Sequence, residues 1–398
     1  MKEPEFYRKK LDNGLTVIFE KRNIPVVAVS TSINFGALHE TEDIKGISHF
    51  IEHLVFKGTK NRTVTQIPQE IEGKGGIINA FTAEEITSFW NKLPSKHFSL
   101  GADVSRDLAI NPIFENKALE RERKVILEEI KMYHDNPTSY IMEKIKEMLY
   151  KKPFSMSIAG TQKTVSGLSR EKVIETYKQA YSTNNMIFTV VGKTDFETVL
   201  EEANKFPKIN KTINSIPIIK KNGKSIEKRK GIDQAHEIIA IHTPLLTDKN
   251  RYAVEIFDSI LGGGMSSRLF QEVREKKGLC YAIKSHLEQS KEYSYLMIYS
   301  GTTKDKIKVI KEIVLKEIKK LGELKQTDFN EAKERLIGLK QVNKEKCDST
   351  MIELLTEEIG GNSNNYYNYE DEINKVKLDD VKNLSNIKGY SFAALVPE

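Results

Sequence analysis

The stretch His49-Phe50-Ile51-Glu52-His53 lies inside the apolar run from Ile47 to Phe56. At about 100° per helical residue, His49 and His53 stand one above the other on a single face, with Glu52 beside them. Two neutral imidazoles so placed can hold one Zn²⁺, and a nearby carboxylate that does not ligate can take a proton from an attacking water. The five residues alone also fit two histidines and an acid on an ordinary amphipathic helix. A third ligand has to decide.

The segment 115–134, E-N-K-A-L-E-R-E-R-K-V-I-L-E-E-I-K-M-Y-H, reads as a helix with Leu119, Ile126, Ile130 and Tyr133 recurring on its inner face. Helical phase separates its two adjacent glutamates. Glu128 shares a side with Arg121, Lys124 and Lys131, which predicts a solvated acid in ordinary ion pairs. Glu129 falls beside Ile126 and Tyr133, and Glu122 lies seven residues earlier on the same stripe. Buried acids need a partner. One Zn²⁺ per chain is the expected partner of Glu129, giving a His-His-Glu set whose fourth position stays open to water, as catalytic zinc requires.

With these residues the chain resembles the pitrilysin/insulysin clan of zinc metallopeptidases, the inverzincins with H-x-x-E-H. Within the clan it is similar to the short-chain branch of mitochondrial processing peptidase and its bacterial and archaeal homologues. The family pattern places the third ligand 76 residues after the second histidine, which is the separation of His53 and Glu129. The likeness runs through G-I-S-H-F-I-E-H-L-V-F-K-G-T (46–59), I-N-A-F-T-A-E-E-I-T-S-F-W (78–90), E-R-E-R-K-V-I-L-E-E-I-K-M (120–132) and G-G-G-M-S-S-R-L-F-Q-E-V-R-E-K-K-G-L-C-Y (262–281). It implies His49, His53 and Glu129 as ligands, Glu52 as general base and Glu122 as an acid supporting the ligands. Asn79, Ala80, Phe81 and Thr82 become the strand that receives substrate by main-chain pairing. Composition alone allows an ordinary edge strand there equally well. Arg274 and Tyr281 match the pair that reaches the substrate carbonyl, and a cation with a phenol suits a developing oxyanion. Without the resemblance, Arg274 reads as a surface residue and Tyr281 as a core aromatic. Cys280 departs from the family, which usually carries a small alanine there.

A chain of 398 residues exceeds what one core usually supports, so two domains are expected. The chain also repeats itself. Q-E-I-E-G-K-G-G-I (69–77) matches Q-E-V-R-E-K-K-G-L (271–279) at an offset of 202, and M-I-F-T-V-V-G (186–192) echoes Y-S-F-A-A-L-V (390–396). Residues 1–205 are read as the zinc-binding catalytic domain, 206–231 as a linker, and 232–398 as a homologous domain without ligands that contributes substrate and oxyanion residues. At the 202 offset His49 falls on Arg251, Glu52 on Val254 and His53 on Glu255. Strands at 15–20 and 26–34, then helices at 46–57, 64–74, 95–110 and 115–134 with more between 138 and 181, predict α+β. Each half is a largely antiparallel sheet packed with helices.

Only Cys280 and Cys347 occur, far apart, which fits a reducing compartment. The opening M-K-E-P-E-F-Y-R-K-K reads as neither a signal nor a transit peptide, and no apolar run is long enough for a membrane span. The charge of +6 is spread among acids except at 220–230, read as a basic surface linker, so no nucleic-acid partner is expected. The combined reading is a cytoplasmic zinc endopeptidase, a homodimer that cuts unfolded peptides or small protein segments in an enclosed chamber. The rivals are a non-catalytic, peptide-binding partner subunit of a processing-peptidase-like heterodimer and a structural subunit of a respiratory complex.

Overall fold

The structure is a computed structural model that describes residues 5–398. Along the first half run strands β1 (Phe6–Lys10), β2 (Thr16–Lys21) and β3 (Val26–Ile33), then helices α1 (Ile47–Val55) and α2 (Gln66–Glu72). Strands β4 (Ile77–Thr82) and β5 (Thr87–Pro94) follow, then helices α3 (Phe98–Ile110), α4 (Asn116–Asp135), α5 (Pro137–Leu149), α6 (Gln162–Gly167) and α7 (Arg170–Ala180), strand β6 (Met186–Gly192) and helix α8 (Phe196–Asn204). The second half holds β7 (Lys224–Arg229), β8 (Ala235–His242), α9 (Arg251–Leu261), β9 (Cys280–Gln289) and β10 (Ser294–Thr302). It continues with α10 (Ile307–Lys320), α11 (Gln326–Asn343), α12 (Cys347–Ile359), α13 (Tyr369–Lys375), α14 (Leu378–Asn383) and β11 (Ser391–Pro397). Among the described residues no helix is long and apolar enough to cross a membrane.

The strands make two sheets, ordered β1-β2-β6-β3-β5-β4 and β7-β11-β8-β10-β9. With β1 set aside, the first order maps element for element onto the second. Each sheet is antiparallel except for one parallel pair, and the pairs correspond: β2 with β6, β7 with β11. The repeated sequences at 186–192 and 390–396 fall on β6 and β11. The fold is α+β, two sheets packed with helices.

Two elements escaped the sequence pattern. Strand β1 is almost wholly exposed, so no apolar alternation marks it. Strand β7 lies inside the segment read as a linker, because its alternating K-S-I-E-K-R buries little. Charged side chains suit a sheet edge, where they discourage pairing with other chains.

The chain forms two compact units, and they do not follow its linear halves. One takes the chain up to Lys131 with Met156–Pro217 and Asn343–Asn364; the other takes Met132–Ser155, Ile218–Val342 and Asn365–Glu398. Helix α12 therefore covers β3 and β6 of the first sheet, burying Met351, Leu354 and Leu355. It is tied there by Arg8 to Glu358 at 2.6 Å, Arg22 to Thr350 at 2.8 Å and Lys92 to Asp348 at 3.1 Å. The equivalent helix α5 covers β8 and β11 of the second sheet with Ile141, Ile145 and Leu149. The boundaries 1–205 and 232–398 thus describe repeated sequence, while each sheet takes its covering helix from the other half. A helix docks wherever its apolar stripe is buried, whatever its place in the chain.

Candidate metal centre

Helix α1 is fixed before it can present a site. Its face Ile47, Phe50, Ile51, Leu54 and Val55 is buried in the core of the first unit. Its start turns at Gly46, whose φ of +97° and close approach to the Ala159 carbonyl suit glycine alone. The Glu40 carboxylate, fully buried, accepts the backbone N–H of Gly46 at 2.9 Å and of Ser48 at 2.7 Å. An anion at the helix start satisfies free N–H groups and complements the helix dipole, while buried Lys45, 3.7 Å away, balances the charge. The opposite face then carries His49, Glu52 and His53.

Helix α4 buries Ala118, Leu119, Glu122 and Ile126. That phase leaves Glu128 on the surface, 2.7 Å from Lys131, and turns Glu129 inward. Glu129 Oε2 lies 3.7 Å from His49 Nε2 and 3.6 Å from His53 Nε2. Two ligands about 2.1 Å from a tetrahedral ion stand about 3.4 Å apart, so the three atoms are spaced to share one. Among the described residues they form the one group of His, Cys or acid side chains close enough to hold a metal. Two imidazoles and one carboxylate suit zinc.

Glu122, with its side chain 4% exposed, places Oε2 3.5 Å from His53 Nδ1 and 3.1 Å from Lys57 Nζ. With a metal present, an Nδ1–H directed at Glu122 would free the Nε2 lone pair of His53 for the ion shared with Glu129. Sequence reasoning passed over Lys57, although it stands one turn beyond His53 and so shares its side of the chain. Burial, helped by His53, pushes the His49 imidazole down to about 4, so it is neutral and able to ligate at pH 7. For His53, burial works downward, but hydrogen bonding to Glu129 and the charges of Glu52 and Glu129 prevail and raise it.

Glu52 stands beside the set without joining it. Burial raises its carboxyl above the usual range, against a hydrogen bond from Thr82. Thr82 ends β4, the edge strand of the first sheet, on which Asn79, Ala80 and Phe81 also lie. The Ala80 N–H donates to Asn79 Oδ1 at 2.8 Å. Arg274 and Tyr281 belong to the second unit. Arg274 sits on a π-helical turn, Phe270–Glu275, with its guanidinium 4.6 Å from the Phe270 ring and 5.7 Å from that of Tyr281. Tyr281 is 77% exposed, so it is no core aromatic.

Residues 16–162 match the family model for insulinase, peptidase family M16, and residues 167–336 match that for the peptidase M16 inactive domain. A protein from Rickettsia felis named an uncharacterized zinc protease is 32% identical over 97% of this chain and 95% of its own. Another so named, from Bacillus subtilis, is 27% identical over 98% of both. The crystal structure of a protease from Helicobacter pylori superposes with a TM-score of 0.91 at 22% identity, covering 99% of this chain and all of that one, which speaks for the fold. The chain belongs to the insulinase family of peptidases, family M16, of the pitrilysin clan.

Proposed function

We propose that the protein is a zinc-dependent endopeptidase acting on unfolded peptides or small protein segments. One observation carries the reading: two imidazole nitrogens and a carboxylate oxygen spaced for one ion, with a second, non-ligating carboxylate on the same helical turn. Zinc, when bound, supplies a Lewis acid that polarises the scissile carbonyl and acidifies water. Glu52 takes the proton of the attacking water and passes it to the leaving nitrogen. The peptide lies extended along the open edge of β4 at Asn79, Ala80 and Phe81, where main-chain pairing holds the scissile bond in register. The names of the Rickettsia and Bacillus relatives, each called an uncharacterized zinc protease, support the assignment. We place the enzyme in the cytoplasm as a homodimer around an enclosed chamber.

The region described as inactive covers residues 167–336, and the one ligand set among the described residues, His49, His53 and Glu129, lies before it. A peptide-binding partner subunit without activity is the competing reading. The purified, zinc-loaded protein should cleave a quenched unstructured peptide, and chelator should stop it. Glu52→Gln should keep its zinc while turnover falls roughly 10²- to 10⁴-fold. Hydrolysis indifferent to both changes refutes the mechanism, and an inert zinc-loaded wild type favours the partner-subunit reading.

A further inference from the structure

Thr82 was placed by sequence among residues that touch substrate, yet its hydroxyl is already committed. Oγ1 donates to Glu52 Oε2 at 2.5 Å, and a hydroxyl has one proton to give. Alternation along β4 puts Ile78, Ala80 and Thr82 on one face and Ile77, Asn79 and Phe81 on the other. Ile78 and Ala80 pack against the core that holds α1. Thr82 therefore looks toward α1 and away from the strand's outer face. Its backbone is pinned by pairing with Thr87, at the turn into β5. A glutamate has three rotatable bonds, and the hydrogen bond from Thr82 restricts which rotamer Glu52 adopts.

We infer that Thr82 is a positioning residue for the general base. Its hydroxyl holds Oε2 of Glu52, leaving Oε1 as the oxygen that accepts the proton. The anchor lies on the strand along which the peptide is laid, so base and substrate share one rigid reference. A peptide paired with β4 then meets a carboxylate whose position is set by that same strand. The inference rests on the reading of Glu52 as general base. It assigns Thr82 to the base where the family resemblance assigned it to the substrate.

The test compares Thr82→Val, which keeps the branched shape without the hydroxyl, with Thr82→Ser, which keeps the hydroxyl. On the quenched peptide, Thr82→Val should lower kcat roughly 10- to 100-fold with KM within about twofold, as loss of orientation does. Thr82→Ser should restore kcat to within a few-fold of wild type, and zinc content should match in all three. In Glu52→Gln protein, adding Thr82→Val should lower the residual rate no further. A readout independent of activity is denaturant unfolding of the metal-free protein. Thr82→Val should lower the midpoint when Glu52 is present and leave it unmoved in a Glu52→Ala background. A raised KM with unchanged kcat makes Thr82 a substrate contact and overturns the inference, as does an equal midpoint shift in both backgrounds. An inert wild type sinks the endopeptidase reading instead, and the unfolding cycle then still decides whether Thr82 holds Glu52.

Discussion

Replacing Lys57 with methionine tests how the ligand His53 is held. Lys57 Nζ stands 3.1 Å from Glu122 Oε2, and the same oxygen faces His53 Nδ1 at 3.5 Å. The Glu122 side chain is 4% exposed, so without Lys57 its charge rests on His53 and on Arg121, 3.7 Å away and 63% exposed. An exposed partner of that kind contributes little. Removing one member of a fully buried pair costs about 3–5 kcal/mol. Lys57 is 26% exposed, and solvent screening reduces the expected cost to about 1–3 kcal/mol. Changes in groups that orient a metal ligand lower affinity about 10- to 100-fold, equivalent to about 1.4–2.7 kcal/mol. Chelator-competition titration should therefore show Lys57→Met binding zinc about 10- to 100-fold more weakly, with an unchanged far-ultraviolet circular dichroism spectrum. Lys57→Arg should recover most of the loss, because a guanidinium can also reach the Glu122 carboxylate. Wild-type zinc affinity in a folded Lys57→Met protein refutes the argument that Lys57 and Glu122 orient His53.

The adjacent glutamates of α4 should behave oppositely. Glu129→Gln should weaken zinc binding by more than about 100-fold, beyond the effect of an orienting group, whereas Glu128→Gln should change stability by less than about 0.5 kcal/mol and leave zinc unaffected. Zinc content after dialysis against a weak chelator checks both, and exchanged behaviour would mean that the helical phase is wrong. Glu237, buried on β8 with Oε1 accepting from Ser300 at 2.8 Å, should make stability fall as pH rises. Burial pushes its carboxyl from 4.5 up to about 8, against the Ser300 hydrogen bond and the Lys311 charge. Between those values the unfolded chain has released a proton that the folded protein keeps, so stability declines by up to about 1.4 kcal/mol per pH unit. Glu237→Gln should flatten the melting temperature between pH 5 and 8 relative to wild type in metal-free protein, and parallel curves would exclude the effect.

Local periodicity carried the parts of the molecule that one helix or one strand decides. The four-residue spacing of His49 and His53 needs only helical geometry to bring the rings together. The phase of 115–134 needs only the apolar stripe through Leu119 and Ile126 to separate Glu129 from Glu128. The doubled architecture was legible because both halves retain matching strands, seen at 186–192 and 390–396. Strand β1 and strand β7 were not legible, because exposed edge strands bury too little to leave a pattern. Helix α12 has an apolar stripe that states only that it must be buried. Its docking on β3 and β6, with Glu358 meeting Arg8, joins residues 350 positions apart. The spacing of Glu129 from both imidazoles, Lys57 against Glu122 and Thr82 against Glu52 are likewise set by the packing of α1 with α4 and β4. Hydrogen bonds and ion pairs act over a few ångströms in space, whereas sequence patterns report which faces are buried, so only the tertiary structure selects the partners within those faces.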